Sequence, residues 1–320
     1  MIHREELRFR AGDASLAATL TLPEGDGRRP WALLVPSWLP RNRDGGWDRE
    51  GHPGWFAPPA RDEGEGLFAR LADALAGRGV ATLRYDPRGC GASDGSWERA
   101  DFFTRIDDAR DAIGAMRSRP ELDLRRTAVV GHGEGAAIVL SVAIGDPAIG
   151  AVGLIGASAR SLRTVVRRGV AERARTGADR QHPVVAAVDR ASEELLERAE
   201  RREPTIDLDI GDETVTIGLA SWEQAIHTPP LALATMLHRA TVLLHGADDA
   251  WADPAESELL AAVLAGGGNA PELAVTPGGH DLQEAPDAVI GAFADALQVR
   301  MQPRDLPPVL LAIEEMGGSG

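Results

Sequence analysis

The stretch that decides the fold is TAVVGHGEGAAIVL, which runs from Thr127 to Leu140. An apolar run leads into three closely spaced glycines and a second apolar run follows, which predicts a strand, a tight turn and a helix. Two kinds of active site use such a turn. One binds a pyrophosphate at the start of the helix, and the other exposes a nucleophile at the tip. Residues elsewhere in the chain decide between them.

The first possibility is a dinucleotide site. Gly131-x-Gly133-x-x-Ala136 formally matches the fingerprint G-x-G-x-x-[GA]. That fingerprint also needs an acidic residue about 20 positions later, at the end of the next strand, to bind the ribose. The next predicted strand ends in GLIGAS (153–158), which contains neither Asp nor Glu. We therefore expect no nicotinamide cofactor, and we expect neither another cofactor nor a metal.

The second possibility is a nucleophile elbow, G-x-S-x-G. The letters GHGEG fit four of its five positions, and Gly133 stands where the serine belongs. The fold built on this elbow places an acid and then a histidine after later strands. VLLHGADD ends in Asp249, which its spacing favours over Asp248, and AVTPGGHDL carries His280. Asp281 is expected to cap the last helix. The acid and the histidine thus occur in the required order.

On these residues the chain resembles the α/β-hydrolase superfamily, in its branch of acyl, ester and peptide hydrolases with GHSEG-type elbows. LRYDPRGCGASDG (83–95) is similar to the arginine–glycine loop that follows the fourth strand in that branch. LLVPSWLPRNRDGG (33–46) is similar to its oxyanion-loop segment. The resemblance implies the α/β-hydrolase fold, a mostly parallel, doubly wound sheet with a helical cap insertion.

The order of predicted elements agrees with that fold. Strands and helices alternate over residues 1–158 and 239–300, which predicts a mostly parallel core sheet covered on both faces. The alternation breaks at 159–238, where two helices and a small hairpin are predicted. Because this insertion lies between two strand–helix units, we expect a cap over the edge where active sites of open sheets lie. Residues 301–320 are assigned to a C-terminal tail.

The resemblance also implies roles for residues at the turn. With Gly133 at the nucleophile position, no acyl-enzyme can form on this residue, but His280 and Asp249 can still act as an oriented general base. The backbone N–H of Glu134 would be one oxyanion donor.

Three neighbours complete the expected binding region. Ser37 and Trp38 replace the small residues of the oxyanion loop, and the Trp38 backbone can still donate a hydrogen bond. His132 precedes the tip and is expected to pack beneath the elbow.

Two side chains could replace the missing serine. Cys90 lies in the loop after the fourth strand, and Ser37 lies in the oxyanion segment and could approach His280. Each also has a structural interpretation, as a small apolar residue in a glycine loop and as a turn serine.

Three functional hypotheses follow. In the first, the protein uses His280–Asp249 and backbone oxyanion donors for non-covalent acid–base chemistry. Elimination, isomerisation, cyclisation or direct hydrolysis of an acyl, lactone, polyketide-like or peptide-like small molecule would fit. In the second, the protein is a serine ester, thioester or peptide hydrolase inactivated by the replacement at Gly133. In the third, it is a non-catalytic ligand-binding relative.

The amino-acid composition excludes several kinds of chemistry and several classes of binding partner. All 34 basic residues are Arg, and the absence of Lys excludes Schiff-base and Walker-lysine chemistry. The net charge of −15 argues against nucleic acid and anionic membranes. The single cysteine excludes an intrachain disulfide, and the N-terminal sequence has no apolar segment typical of a signal peptide. We expect a cytoplasmic protein that acts on a small molecule.

The cap segment is rich in arginine. Such a cluster forms either a solvated helix face or a site for an anionic group such as a carboxylate or a carrier phosphate. The residues are Arg160, Arg163, Arg167, Arg168, Arg173, Arg175 and Arg180.

Overall fold

The computed structural model describes residues 2–37, 40–48, 50–52, 66–177, 183–308 and 310–311. These residues form one eight-stranded sheet and a separate two-stranded hairpin. The strands are β1 (Ile2–Ala11), β2 (Ala14–Pro23), β3 (Arg29–Val35), β4 (Ala81–Tyr85), β5 (Leu122–His132), β6 (Ile149–Ile155), β7 (Thr205–Ile210), β8 (Glu213–Gly218), β9 (Ala240–Gly246) and β10 (Glu272–Thr276).

The order of strands in the large sheet is β1-β2-β4-β3-β5-β6-β9-β10. β1 and β2 pair antiparallel at one edge, as their alternation of apolar and polar residues predicts, and β2 is also antiparallel to β4. The pairings from β4 to β10 are parallel. The prediction of a mostly parallel sheet is confirmed.

Helices cover both faces of this sheet, as predicted. They are α1 (Leu67–Ala76), α2 (Phe102–Met116), α3 (Glu134–Gly145), α4 (Leu162–Thr176), α5 (Pro183–Glu200), α6 (Ala220–His227), α7 (Pro230–Ala234), α8 (Ala255–Gly266) and α9 (Asp287–Arg300). Buried side chains of α2, α3 and α8 form one apolar cluster with the sheet, and those of α1 and α9 form another. Within the described ranges, none of the helices has the length and apolar character that a bilayer span requires.

Between β6 and β9 the chain leaves the sheet. This segment contains α4 to α7 and the β7–β8 hairpin, which turns at Gly211 and Asp212. The hairpin places Ile206, Leu208 and Ile210 in an apolar cluster with α5. The predicted helices and hairpin of the segment are therefore present, and they share a small apolar core with Cys90 and Trp97 of the loop after β4.

The register between β3 and β5 positions the turn at Gly133. Val35 pairs with Gly131 in the parallel ladder, so Ser37 and Gly133, each two residues further along, leave the sheet side by side. A Cβ atom on Gly135 would lie 2.3 Å from the carbonyl oxygen of Val35. Only glycine therefore lets the start of α3 approach the end of β3 so closely.

Two boundaries differ from the sequence-based expectation. β5 begins at Leu122 rather than Thr127, because Leu122 and Leu124 alternate with more polar residues and extend the buried face of the strand. Within the tail segment, Leu306 and Leu310 are buried against Leu124 and Ala148. Part of the assigned tail therefore packs onto the core.

Candidate active site

The elbow is a sharp turn between β5 and α3. Gly133 has φ +57° and ψ −120°, in the region of positive φ that glycine adopts without steric cost. A Cβ atom on Gly131 would lie 2.1 Å from the carbonyl oxygen of Gly135, which shows how tightly the turn closes. Glu134 is the first residue of α3, so its N–H has no acceptor within the helix. That N–H and the helix dipole favour negative charge at the tip.

Asp249 and His280 meet at the same edge, because they follow the neighbouring parallel strands β9 and β10. His280 Nδ1 lies 2.7 Å from Asp249 Oδ2. Asp249 Oδ1 accepts the backbone N–H groups of Trp251 at 2.8 Å and Ala252 at 2.9 Å. The carboxylate is thus fixed and holds the imidazole ring. Asp248, the competing acid, instead accepts a backbone N–H at 3.2 Å in the loop that carries His280.

Within this pair, electrostatic interactions outweigh the effect of burial on both pKa values. Burial alone would raise the pKa of Asp249, but the imidazole rings of His280 and His245 hold it well below its ordinary value. Burial alone would lower the pKa of His280, but the adjoining Asp249 carboxylate raises it above its ordinary value. The folded protein thus favours an ionised acid beside an imidazole of raised basicity.

His245 was not singled out in the sequence. Its Nε2 lies 3.2 Å from Asp249 Oδ2, and its Nδ1 lies 2.6 Å from the Ser257 hydroxyl. The only signal for it was its place four residues before Asp249 at the buried end of a strand. It is a second partner that fixes the carboxylate behind the site.

Ser37 places a hydroxyl at the elbow. Its side chain is buried, with an exposed fraction of 3%, and its Oγ lies 2.6 Å from the point that a Cβ atom on Gly133 would occupy. His280 Nε2 lies 3.0 Å from the same point. Among the described residues, neither atom has a hydrogen-bond partner. The space of an elbow side chain is therefore filled by the hydroxyl of Ser37, next to the open nitrogen of the imidazole.

His132 lies beneath the elbow, as expected. The centroid of its ring is 4.6 Å from that of His280, and its Nε2 lies 2.9 Å from the His280 carbonyl oxygen. Burial, assisted by the positive charge of His280, lowers the pKa of His132 to about 3. A neutral imidazole donating to that carbonyl supports the loop that carries His280 rather than facing the cavity.

The expectation that Asp281 caps the last helix is wrong. Its carboxylate accepts a hydrogen bond from Arg41 at 2.7 Å, while α9 begins at Asp287, preceded by Pro286. Burial would raise the pKa of Asp281, but Arg41 and the neighbouring imidazoles lower it. The pair with Arg41 ties the loop after β3 to the loop that carries His280.

Cys90 is poorly suited to replace the elbow serine. It is buried in an apolar cluster with Trp97, and its Sγ lies 3.7 Å from His52 Nε2. Burial, assisted by the charge of Asp48, raises the pKa of the thiol to about 12. A reactive cysteine must supply a thiolate near neutral pH, and the raised pKa and burial of this thiol oppose that.

A cavity of about 110 Å³ lies between the elbow and the segment that follows β6. Ser37, Glu134 and His280 line its polar end. Apolar side chains of that segment line much of the rest, among them Leu162, Val165, Val166 and Trp222, and Arg160 and Arg173 also line it. Trp38, predicted as an oxyanion donor, lies outside the described residues. The arrangement places a polar reaction centre at the bottom of an apolar pocket, as small-molecule sites commonly do.

The side chain of Glu134 has an unexpected role. Its Oε1 accepts a hydrogen bond from the Ser221 hydroxyl at 2.7 Å, and Oε2 is buried without a partner among the described residues. Burial raises the pKa of this carboxyl group. The sequence predicted a role only for the backbone N–H of Glu134, whereas in the structure its side chain is turned towards α6 and links the elbow to that helix.

The arginines of the segment after β6 are mostly neutralised. Of the seven arginines named in the sequence analysis, the six in the described residues each have a carboxylate partner, and Arg180 lies outside that range. The pairs are Arg160–Glu256, Arg163–Glu200, Arg167–Glu193, Arg168–Asp253, Arg173–Asp189 and Arg175–Glu172. These pairs argue against a site for an anionic group. Arg173, however, is buried and paired with Asp189, and it does not lie on a solvated helix face.

Solved structures of similar shape share this architecture. An esterase from Butyrivibrio proteoclasticus with bound ferulic acid matches with a TM-score of 0.62 and 14% identity, over 92% of this chain and 99% of that chain. An esterase from Pyrococcus furiosus matches with a TM-score of 0.62 and 15% identity, over 94% of this chain and 92% of that chain. An α/β-hydrolase from Penicillium sp. sh18 matches with a TM-score of 0.62 and 17% identity, over 93% of this chain and 99% of that chain. These likenesses establish the α/β-hydrolase fold.

The family of the chain is identified by comparison of its sequence with known families. No curated protein matches the chain. The serine aminopeptidase S33 family matches residues 61–280, more than half of the sequence. The matched range contains the GHGEG turn, Asp249 and His280. The chain therefore belongs to the serine aminopeptidase S33 family of α/β-hydrolases.

Proposed function

We propose that this protein is an enzyme in which His280, oriented by Asp249, acts as the general base on a small acyl-type substrate. Esters, lactones and polyketide-like or peptide-like molecules are the substrate classes. The observation that carries the proposal is the 2.7 Å bond from His280 to Asp249, with Nε2 only 3.0 Å from the elbow position at Gly133.

The chemistry requires a neutral imidazole. His280 Nε2 would accept a proton while Asp249 stabilises the imidazolium that forms. The N–H of Glu134 and the positive end of α3 would stabilise negative charge that develops on the substrate oxygen. Trp38 stays a predicted second donor. This role of His280 does not depend on which group loses the proton, since water, the substrate or a side-chain hydroxyl would serve.

We infer that the segment 159–238 acts as the cap. Its side chains form much of the apolar lining of the cavity. An apolar wall over the elbow would exclude water and select an acyl group by shape, and it would strengthen the electrostatic effects at the reaction centre.

The two other hypotheses fit the geometry less well. A serine hydrolase that lost only its nucleophile would retain room for that side chain, whereas Ser37 Oγ fills the space at Gly133. A purely binding relative would not need the oriented His280–Asp249 pair.

The test is a screen of the purified protein on p-nitrophenyl esters, thioesters, lactones and aminoacyl p-nitroanilides. For the substrate that is turned over, we expect Asp249→Asn to lower kcat by about 10⁴, the effect known for the equivalent change in a serine protease. We expect His280→Ala to lower it at least as much. His238→Ala is the matched control, because His238 is exposed and precedes β9 at the opposite edge of the sheet. Full activity of His280→Ala, or an inert wild type on every class, would refute the proposal.

A further inference from the structure

We propose that Ser37 replaces the elbow serine as the nucleophile, so that the attacking hydroxyl comes from the end of β3 instead of the tip between β5 and α3. The inference rests on the proposed function, since it uses the same His280–Asp249 base, and it names the group from which that base takes the proton.

The topology makes this replacement possible. β3 and β5 are neighbours in the sheet, and their register brings Ser37 and Gly133 to the same level at the carboxyl edge. A Cβ atom on Gly135 would lie 2.3 Å from the Val35 oxygen and 2.7 Å from the Pro36 oxygen. Because Gly135 has no side chain, the elbow can pack directly against the segment that carries Ser37. A hydroxyl on this segment therefore reaches the elbow without any change in the fold.

Steric exclusion links the two positions. A Cβ atom on Gly133 would approach Ser37 Oγ to 2.6 Å and Ser37 Cβ to 3.1 Å. Carbon atoms of real side chains do not come this close to a hydroxyl oxygen, so a side chain at position 133 and the present Ser37 conformation exclude each other. Glycine at the tip is thus what gives the hydroxyl of Ser37 its place.

The neighbouring base completes the arrangement. Ser37 Oγ and His280 Nε2 both lie within 3.0 Å of the same point, and both line the cavity. Among the described residues, no hydrogen bond holds the Ser37 hydroxyl in another direction. Serine is activated in hydrolases when it comes within hydrogen-bond distance of a base that is itself oriented by a third group. No hydrogen bond joins Ser37 Oγ to His280 Nε2 among the described residues, so activation of Ser37 requires that the two atoms close on each other when substrate binds.

The reaction then runs in two steps. His280 Nε2 takes the proton of the Ser37 hydroxyl while Oγ attacks the substrate carbonyl carbon, and the intermediate collapses when the leaving group departs with the proton from His280. The acyl group is now an ester on Ser37. His280 next takes a proton from water, whose oxygen attacks this ester. The acid leaves, and the proton returns to Ser37 Oγ.

The first experiment is covalent labelling with diisopropyl fluorophosphate, followed by intact-mass and peptide mass spectrometry. We expect one adduct per chain, located on Ser37. It should be absent from Ser37→Ala and slowed by orders of magnitude in His280→Ala. Ser141→Ala is the matched control, because the Ser141 hydroxyl donates to the Ala137 carbonyl within α3. No adduct on the wild type, or an adduct that survives in Ser37→Ala, would overturn the inference.

The second experiment separates this inference from the proposed function. On the substrate found by the screen, Ser37→Ala should lower kcat by about 10⁶, as loss of the nucleophile does in a serine protease. Its KM and thermal midpoint should stay close to those of the wild type. If Ser37→Ala stays active while His280→Ala is inactive, the base role stands and the nucleophile role fails. If both variants stay active, both proposals fail.

Discussion

Ser37 Oγ lies 2.6 Å from the position that the Cβ atom of residue 133 would occupy, so the elbow retains a hydroxyl although its tip is glycine. The two residues are close because β3 and β5 pair in parallel and end at the same edge. A change at one position must therefore be judged together with the other, and the first prediction follows from that dependence.

The variant Gly133→Ser should be destabilised. Its Cβ atom would collide with Ser37 and lie 3.0 Å from His280 Nε2, at a φ of +57° that serine tolerates poorly. Strain of this kind costs on the order of 1–3 kcal/mol. Adding Ser37→Gly removes the collision, so the double variant should be more stable than Gly133→Ser alone. Chemical unfolding of the two single variants and the double variant measures the coupling, which should be about 0.5–3 kcal/mol. Additive effects would show that Ser37 does not fill the elbow.

Gly156 leaves the space that the imidazole of His280 needs. A Cβ atom on Gly156 would lie 3.2 Å from His280 Cε1 and 3.6 Å from Asp249 Oδ2, at a φ of +55°. Gly156→Ala should therefore displace the imidazole and abolish turnover. Gly79→Ala is the matched control, because Gly79 has a φ of +75° but a Cβ atom there meets nothing within 4 Å. Both variants should lose about 1–2 kcal/mol of stability from backbone strain. Equal activity of the two would contradict the prediction.

Activity should depend on the protonation of His280. Because its interaction with Asp249 raises the pKa of this imidazole above the ordinary value of about 6.5, the base becomes neutral only at higher pH. The acidic limb of kcat/KM should have its midpoint above 6.5, with activity rising through it. Asp249→Asn removes the charge that raises the pKa, so the limb should move to lower pH in the residual activity. A limb below 6.5, or one that the variant leaves in place, would contradict the proposed pair.

Glu134 should make stability depend on pH. Burial raises its folded-state pKa above the ordinary value of 4.5, so the folded protein holds this proton more tightly than the unfolded chain does. The resulting stabilisation is complete below 4.5 and is lost as pH rises through the folded pKa. Glu134→Gln cannot titrate. Relative to this variant, the free energy of unfolding of the wild type should fall as pH rises above 4.5. The control for the loss of charge is Glu213→Gln, which removes an exposed carboxylate of the hairpin. If the free energies of unfolding of the wild type and Glu134→Gln change in parallel with pH, the assignment is refuted.

The parts of the fold with a clear local pattern were predictable. Apolar runs gave the strands, and the glycines of GHGEG gave the turn. The order of Asp249 and His280 after later strands indicated that they would meet, because parallel strands end at one edge. The structure brings these two residues together as the order suggested. The segment after β6 was also predictable in outline, from helix-like runs and a two-residue turn.

Contacts between segments distant in sequence were not predictable. Ser37 was one of two possible replacements for the serine, and only the register of β3 against β5 sets it beside Gly133. Asp281 was misassigned because its partner, Arg41, lies 240 residues earlier. His245 carried no motif at all. Each of these depends on which side chains share a buried space, and a pattern of residue types along one chain does not encode that.

The measurement that most directly tests the role of His280 is rescue of His280→Ala by free imidazole. Removing the ring leaves a space beside Asp249 that imidazole can enter, so added imidazole should restore part of the lost turnover in a saturable way. The restored rate should vanish in His280→Ala/Asp249→Asn, because the orienting carboxylate is gone. Turnover by His280→Ala at the wild-type rate without imidazole would contradict the account.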